Sequence, residues 1–301
     1  MKKWLIRLGI VMSFLIFLSG IYGYRLYRQV EVAFEEMFET FLTRDLRVMP
    51  LCIESKDPFS ILLLGIDANE ERTLAGRADT MMVVTLNPAE GTTKILSLAR
   101  DTRVEIVGRG FDDKINHAYA FGGTQMTINT VQRFLNIPID YFIEIDMDGF
   151  AALVNAIGTI TLENNLEFSE GGFHFPIGTL QMNGAEVLSF ARMRYEDPRG
   201  EFGRQERQRN IIEALANELM RFSPRRYRQV LNAIVKYAAT NLTFNEAKTM
   251  LWNYRGALVD ITKLDLRGED EIIEGIYYQV ISEEDRLEMV QRLRQHLKIE
   301  E

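Results

Sequence analysis

At 301 residues, with 47% hydrophobic and 26% charged positions, the chain can bury a substantial core, and its composition excludes a disordered, collagen-like or disulfide-stapled protein. One cysteine, Cys52, rules out an internal disulfide, and three histidines, His117, His174 and His296, rule out a histidine-rich metal site. The net charge of −8 argues against a nucleic-acid binder, whose contact surface must be basic.

The charge is unevenly spread. Lys2, Lys3, Arg7, Arg25 and Arg28 give the first 30 residues +5 with no acid, leaving 30 basic against 43 acidic residues, a net of −13, in the remainder. The cations comprise 26 Arg and only 9 Lys. Guanidinium forks suit planar, bidentate contact with phosphate or carboxylate, so the composition hints at a bound anion.

In chain order, residues 1–7 read as a cytoplasmic N-terminus and 8–28 as a transmembrane signal anchor. Leu8 to Tyr24 is seventeen residues without a charge, enough to cross a bilayer core of about 30 Å. Trp4 on one side and Tyr22, Tyr24 and Tyr27 on the other occupy aromatic-belt positions. A cleaved signal peptide has the same basic–apolar order, but no small-x-small cleavage site follows the run, which favours an uncleaved anchor. Lys2, Lys3 and Arg7 place the N-terminus inside, so the bulk of the chain is expected outside the cytoplasm at the cell membrane. Residues 29–57 read as a partly helical stalk.

From residue 58 to 301 the texture is that of one α/β domain. FSILLLGI (59–66), TMMVVTL (80–86) and TKILSLA (93–99) are continuous apolar runs, as in strands covered on both faces by helices. Helices are expected near 115–121 and 124–136, a strand at 141–147, a helix at 149–157 and a strand at 159–162. Residues 164–182 read as loop and hairpin. Asn183 caps a helix, Gly203 opens a long one to 220, and two more helices follow near 224–239 and 244–257. Strands at 263–266 and 276–280 and a helix at 283–297, capped by Ser282, complete the chain. The predicted fold is a single α/β domain with a central mixed sheet flanked by helices.

Four polar segments border apolar strands, where α/β folds place their sites. They are Gly76-Arg77-Ala78-Asp79-Thr80, Ala99-Arg100-Asp101-Thr102, Asp113-Lys114-Ile115-Asn116-His117, and the run from Arg192 to Gln208. Residues 192–209 hold six arginines and no lysine. Arg192 and Arg194, two apart, share a side in an extended stretch. Arg204 and Gln208, four apart, share a helix face near its N-terminus, a favourable anion site. Together they can clamp a diphosphate. They can equally form a solvated face paired with Glu196, Asp197, Glu201 and Glu206. Asp79 and Asp101 can hold Mg²⁺, which bridges carboxylates to phosphates, or can cap turns and pair with Arg77 and Arg100. His117 has no metal-ligand companion and reads as structural. No P-loop, nucleophile elbow or Cys/His pair is present.

LLLGID (62–67), GRADTMMVVTLNP (76–88), ILSLARDTRV (95–104), DKINHAYAFGG (113–123) and FARMRYEDPRGEFGRQERQ (190–208) together resemble the LytR-CpsA-Psr family, in order and spacing, over residues 59–220. The tail GIYYQVISEEDRLEMVQRLRQHL is similar to the C-terminal end of its Gram-positive teichoic-acid-ligase members. Ala99 stands where the family often has Pro, and Glu201 where it often has Asp. The resemblance implies a membrane-anchored, extracytoplasmic phosphotransferase. Such an enzyme moves an anionic glycopolymer, teichoic acid or capsular polysaccharide, from a polyprenyl-pyrophosphate carrier to peptidoglycan. By motif, Arg77, Arg100, Lys114, Arg192, Arg194, Arg204 and Gln208 would contact the pyrophosphate. Asp79 and Asp101 would hold Mg²⁺ (or Mn²⁺) or activate the acceptor hydroxyl, with Arg100 beside them in catalysis. Phe121, Phe134, Phe142, Phe150, Leu153 and Phe190 are candidates for an apolar prenyl tunnel. A polyprenyl-pyrophosphate pyrophosphatase and a non-enzymatic polyprenyl-phosphate-binding regulator are the alternatives. A nucleic-acid partner is not expected.

Overall fold

The computed structural model describes residues 2–40, 46–47, 49–67, 76–219, 221 and 224–299, with side chains described from Phe17 onward except at 219, 224 and 225. In chain order the elements are α1 (Lys2–Met37), β1 (Phe59–Asp67), β2 (Arg77–Asn87), β3 (Thr92–Leu98), β4 (Arg103–Glu105), β5 (Asp112–Lys114), α2 (His117–Leu135), β6 (Tyr141–Asp146), α3 (Met147–Ile157) and β7 (Ile160–Asn164). There follow β8 (Phe168–Glu170), β9 (Phe173–Phe175), β10 (Gly178–Met182), α4 (Gly184–Arg192), α5 (Glu201–Leu219), α6 (Pro224–Ile234), β11 (Ala238–Thr240), α7 (Phe244–Asn253), β12 (Asp260–Leu264), β13 (Glu269–Ile273), β14 (Ile276–Val280) and α8 (Glu283–Leu297).

Six strands form the central sheet in the order β11-β6-β1-β2-β3-β12. The β1/β6 and β3/β12 pairs are parallel and the others antiparallel, so the sheet is mixed, as expected from the sequence. Successive side chains of a strand point to opposite faces. Leu62, Leu64 and Ile66 of β1 therefore join one apolar layer with Ile128 and Val131 of α2 and Leu293 of α8. Phe59, with Met82 and Val84 of β2, joins Leu242 and Tyr254 on the other face. A third cluster packs α3, α4, α5 and α6 around Val154, Val187, Phe190, Ile211 and Val230. The capping signals hold: Asn183 accepts from Ala185 and Glu186 within a capping box, and the Ser282 hydroxyl accepts from the Asp285 amide.

Tertiary contacts redraw several boundaries. The two helices expected at 115–121 and 124–136 are both present within α2, parted at Gly122 (φ −160°, ψ 24°) and Gly123 (φ 62°, ψ −157°), the second a conformation that glycine adopts without strain. The helix expected to 239 stops at Ile234, because residues 238–240 hydrogen-bond to the open edge of β6. An Ala-Ala-Thr segment has no strong preference of its own, and a free strand edge decides its state. A short 3₁₀ turn, Arg255–Leu258, replaces the end of the helix expected to 257. α5 begins at Glu201, not at Gly203. The six aromatic and aliphatic candidates for a single apolar tunnel divide between two clusters: Phe121, Phe134 and Phe142 lie with the α2 layer, Phe150, Leu153 and Phe190 with the α3–α6 cluster.

α1 runs without a break from the N-terminal stretch through residues 29–37, so the first part of the 29–57 segment is helical, as expected of it. Among the described residues no helix is long and apolar enough to cross a membrane. Most of the apolar stretch 8–24 lies outside the residues whose side chains are described.

His296, on α8, is 1% exposed, with Nδ1 2.7 Å from Thr85 Oγ1 and Nε2 2.9 Å from Thr92 Oγ1. Burial, with the nearby charge of Lys94, pushes its pKa down to about 4, from about 6.5 when unfolded. The unfolded chain thus binds the extra proton first as pH falls. Stability is complete above about pH 6.5, declines below it and has lost this contribution by about pH 4, a change on the order of 3 kcal/mol. Denaturant midpoints measured from pH 7.5 to 4.5 should fall more steeply in the wild type than in His296→Gln; parallel slopes would refute the assignment.

Candidate active site

The site forms where β2 starts and β3 ends. These strands are antiparallel, with Met81 opposite Leu98, so Asp79 and the Arg100-Asp101 pair lie together. Arg100 Nη1 is 3.2 Å from Asp79 Oδ2, and its Nε is 3.6 Å from Asp101 Oδ2. The third segment folds back on the second: the Ile115 amide donates to Thr102 O at 2.8 Å and the Asn116 amide to Arg100 O at 3.3 Å. Lys114 Nζ thereby donates to Asp101 Oδ1 at 2.7 Å, and Asn116 Nδ2 reaches Asp79 Oδ1 at 3.4 Å. Burial works against the Arg100 cation, but Asp79, Glu201 and Asp101 outweigh it and raise its pKa. His117 Nδ1 pairs with Asp113 at 2.8 Å, the structural role expected of it.

The field of Glu201 on Arg100 joins the fourth segment to the first three. Glu201 takes Arg204 Nη2 at 2.5 Å and lies 3.9 Å from Arg194 Nε. Arg192 and Arg194 do not lie in one extended stretch. Arg192 is the exposed last residue of α4, Met193 is buried, and Arg194 is partly exposed beyond it. Among the described residues Arg192 pairs with no carboxylate. Gln208 Nε2 is 3.5 Å from Ala191 O, beside that helix end. Arg77 is exposed at the start of β2, opposite Asp67 of β1.

The remaining three arginines of the run are braces. Asp197, fully buried in its side chain, holds both Arg199 and Arg207, and Arg209 reaches Asp265 at 2.7 Å. Burial opposes ionisation of Asp197, but the hydrogen bonds from Arg199 and Arg207 prevail and bring its pKa to about 2. Gly203 lets the carboxylate approach: a Cβ there would stand 1.8 Å from Asp197 Oδ2. Of the paired solvated face, the pairs of Arg199 and Arg207 with Asp197, of Arg199 with Glu206 and of Arg204 with Glu201 are present, but Arg204, Arg207 and Arg209 are buried rather than solvated, and the acid of Arg209, Asp265, lies outside the run.

Sequence reasoning missed one wall. The hairpin of β13 and β14 is tied to the site by the Gln279 amide, which donates to Asp101 O at 2.9 Å beside the Thr102–Gln279 bridge. It brings the Tyr277 and Tyr278 rings to 5.7 and 6.0 Å from Lys114 Nζ, as cation–π partners. Burial raises the Tyr277 pKa to about 12, helped by its hydrogen bond to Asp270 and by Asp101, while Arg194 opposes the shift. Tyr277 therefore stands within the fields of both halves of the site. Two adjacent tyrosines in a strand 160 residues from Lys114 carry no local signal for this.

Buried side-chain atoms without a hydrogen-bond partner gather here: Asn116 Oδ1, Glu201 Oε2, Arg204 Nε and Gln279 Oε1. Buried polar groups are nearly always satisfied, so such a cluster calls for a polar ligand. Among the described residues no group of three His, Cys, Asp or Glu is placed to hold a metal. The oxygen donors at hand are the carboxylates of Asp79 and Asp101, both held by Arg100, with Asn116 turning its Nδ2 toward Asp79. These hard oxygens fit Mg²⁺, which uses one or two carboxylates and leaves other positions to water and phosphate.

Residues 28–295 match the LytR_cpsA_psr family. The chain is 44% identical over 305 residues to the Polyisoprenyl-teichoic acid--peptidoglycan teichoic acid transferase TagU of Halalkalibacterium halodurans, covering 99% of this chain and all of that protein. Its fold is similar to the crystal structure of Bacillus subtilis TagV, with TM-score 0.73 and 34% identity, covering 82% of this chain and 99% of the other. It is also similar to a structure of TagT bound to LIIa-WTA, with TM-score 0.74 and 28% identity, covering 85% and 97%.

Proposed function

The chain belongs to the LytR-CpsA-Psr family, and on that premise we propose that it is a transferase moving teichoic acid from a polyprenyl-pyrophosphate carrier to peptidoglycan. The observation that carries this reading is one polar cluster holding Asp79, Arg100, Asp101, Lys114, Arg194, Glu201 and Arg204, with four buried side-chain atoms that no protein group satisfies. The diphosphate would lie against Arg100, Arg192, Arg194 and Arg204, whose forks suit bidentate phosphate contact. Arg77, Lys114 and Gln208 extend that surface. An acceptor hydroxyl oxygen bonds to the polymer's phosphorus, the bond to the bridging oxygen breaks, and polyprenyl phosphate leaves. The hydroxyl proton passes to a carboxylate, Asp79 or Asp101. Preorganised cations opposite the leaving phosphate lower the barrier because they need no reorganisation as charge develops. Asp79, Asp101 and Asn116 would hold Mg²⁺, which supplies further neutralisation of the phosphate oxygens.

We place the N-terminal helix in the cell membrane and the α/β domain outside the cytoplasm. The ground for this is the uncharged run from Leu8 to Tyr24, whose seventeen residues make about 25 Å of helix, with the rest of α1 continuing to the domain.

The test uses the full chain in lipid nanodiscs, given polyprenyl-pyrophosphate-linked teichoic acid and peptidoglycan oligomers with and without Mg²⁺. Covalent, Mg²⁺-stimulated attachment of polymer to peptidoglycan is expected. Release of polyprenyl phosphate with no attachment would instead make the protein a pyrophosphatase. Neither product, with the carrier still bound, would leave a binding regulator.

A further inference from the structure

Away from the arginine site, a polar groove runs between α5 and β7. It holds two adjoining cavities of about 450 and 210 Å³ that share Glu163, Asn165 and Asn210 as walls. The groove follows α5 from Glu206 to Asn217, about 16 Å at the helical rise, long enough for several sugar rings. Its near end is lined by Pro198 and Arg199, in the turn that directly follows Arg192 and Arg194. Arg207 also lines this end and lies one turn along α5 from Arg204 of the transfer site, so the groove starts close to that site.

Its chemistry differs from that of the site. Every lining cation already has an acid: Lys263 with Glu213 at 2.5 Å, Arg221 with Glu218 at 3.1 Å, Arg207 with Asp197 at 2.6 Å, and Arg199 with Glu206. Glu163 remains as an extra negative charge, accepting only from Thr179 Oγ1. A polyphosphate would meet no spare cation here and one carboxylate too many. Asn165 and Asn217 instead offer carboxamides, which both donate and accept, the combination that hydroxyl and N-acetyl groups need, while Asn210, whose Oδ1 accepts from Lys263 Nζ at 2.8 Å, keeps its amide donor. The buried Arg207 guanidinium lines the same groove with its Nε unpartnered.

We propose that this groove binds the uncharged amino-sugar backbone of the acceptor glycan, and that the anionic donor polymer does not enter it. The assignment rests on the transferase reading and gives the acceptor a place: a strand along α5 would present a ring hydroxyl at the arginine end.

The test uses full-length protein in nanodiscs and a β-1,4-linked tetramer of N-acetylglucosamine as probe. Asn165 and Asn217 are both exposed, so the double variant Asn165→Asp/Asn217→Asp keeps shape and fold while removing two amide donors. Tetramer affinity is expected to fall about tenfold or more, as for two lost hydrogen bonds. The acceptor KM should rise in parallel, with lipid-diphosphate affinity and kcat preserved. Unchanged tetramer affinity, or a loss of lipid-diphosphate affinity instead, overturns the assignment. The two readings fail separately. Tetramer binding that is lost in the double variant, in a protein that transfers no polymer, supports the groove and ends the transferase reading. Transfer with an acceptor KM that the double variant does not alter ends the groove alone.

Discussion

Asp79→Asn and Asp101→Asn are each expected to slow polymer transfer by about a hundredfold or more, the scale seen when a positioned electrostatic group is lost. The substitution keeps size and hydrogen-bonding capacity but removes the negative charge. Both carboxylates sit on the Arg100 guanidinium, and Asp101 also holds Lys114. Binding of the lipid diphosphate should fall far less, because the arginines remain and Arg100 loses only a competing intramolecular partner. Melting temperature should change little for Asp79, which is partly exposed. For Asp101 it should fall more, since its side chain is 12% exposed and its main chain anchors the β13–β14 hairpin. Transfer rate per folded molecule, measured with melting temperature, separates catalysis from structure. Near-normal Mg²⁺-dependent transfer by both variants would end the assignment of metal and base to these carboxylates.

Replacing Arg100, Arg192, Arg194 and Arg204 singly by Ala should weaken lipid-diphosphate binding by about 1.5–3 kcal/mol each, roughly 10- to 150-fold, as for a lost charge-assisted hydrogen bond. Their effects on stability should diverge. Arg192 is exposed at a helix end, so its removal should leave the melting temperature unchanged. Arg204 and Glu201 are 7% exposed each and paired to one another. Arg204→Ala strands a buried carboxylate, at about 3–5 kcal/mol. Arg204→Ala/Glu201→Ala should recover much of that stability without recovering binding. Equal melting temperatures for Arg192→Ala and Arg204→Ala would show that Arg204 is not built into the fold. Unchanged affinity in all four would make the cluster a solvated face.

The apolar runs at 59–66, 80–86 and 93–99 became β1, β2 and β3 because burial on both faces leaves a continuous hydrophobic signature needing no knowledge of partners. Likewise the caps at Asn183 and Ser282 act within a few residues of themselves. The four polar segments were legible for a related reason: their residue types, order and spacing are local, and the chemistry of arginine forks and carboxylates constrains their use.

What the sequence by itself determined was therefore the α/β class, the mixed sheet's central strands, the family, and the segments that meet at the site. Only the tertiary structure sorted the arginines. Arg194 and Arg204 share Glu201, which also acts on Arg100, and Arg192 stands exposed at the end of α4, whereas Arg199, Arg207 and Arg209 brace Asp197 and Asp265. It also turned residues 238–240 into an edge strand, set Tyr277 against Lys114 and brought Asn116 Nδ2 to Asp79, leaving Asn116 Oδ1 without a partner. Some of these pairs are local, as Arg199 with Asp197 and Arg204 with Glu201, but the edge strand, Tyr277 against Lys114, Arg209 with Asp265 and Asn116 with Asp79 depend on partners tens to more than a hundred residues away. Side chains of one type look alike in a sequence, and only the neighbour that folding supplies decides whether a charge is spent on the protein or left for a ligand.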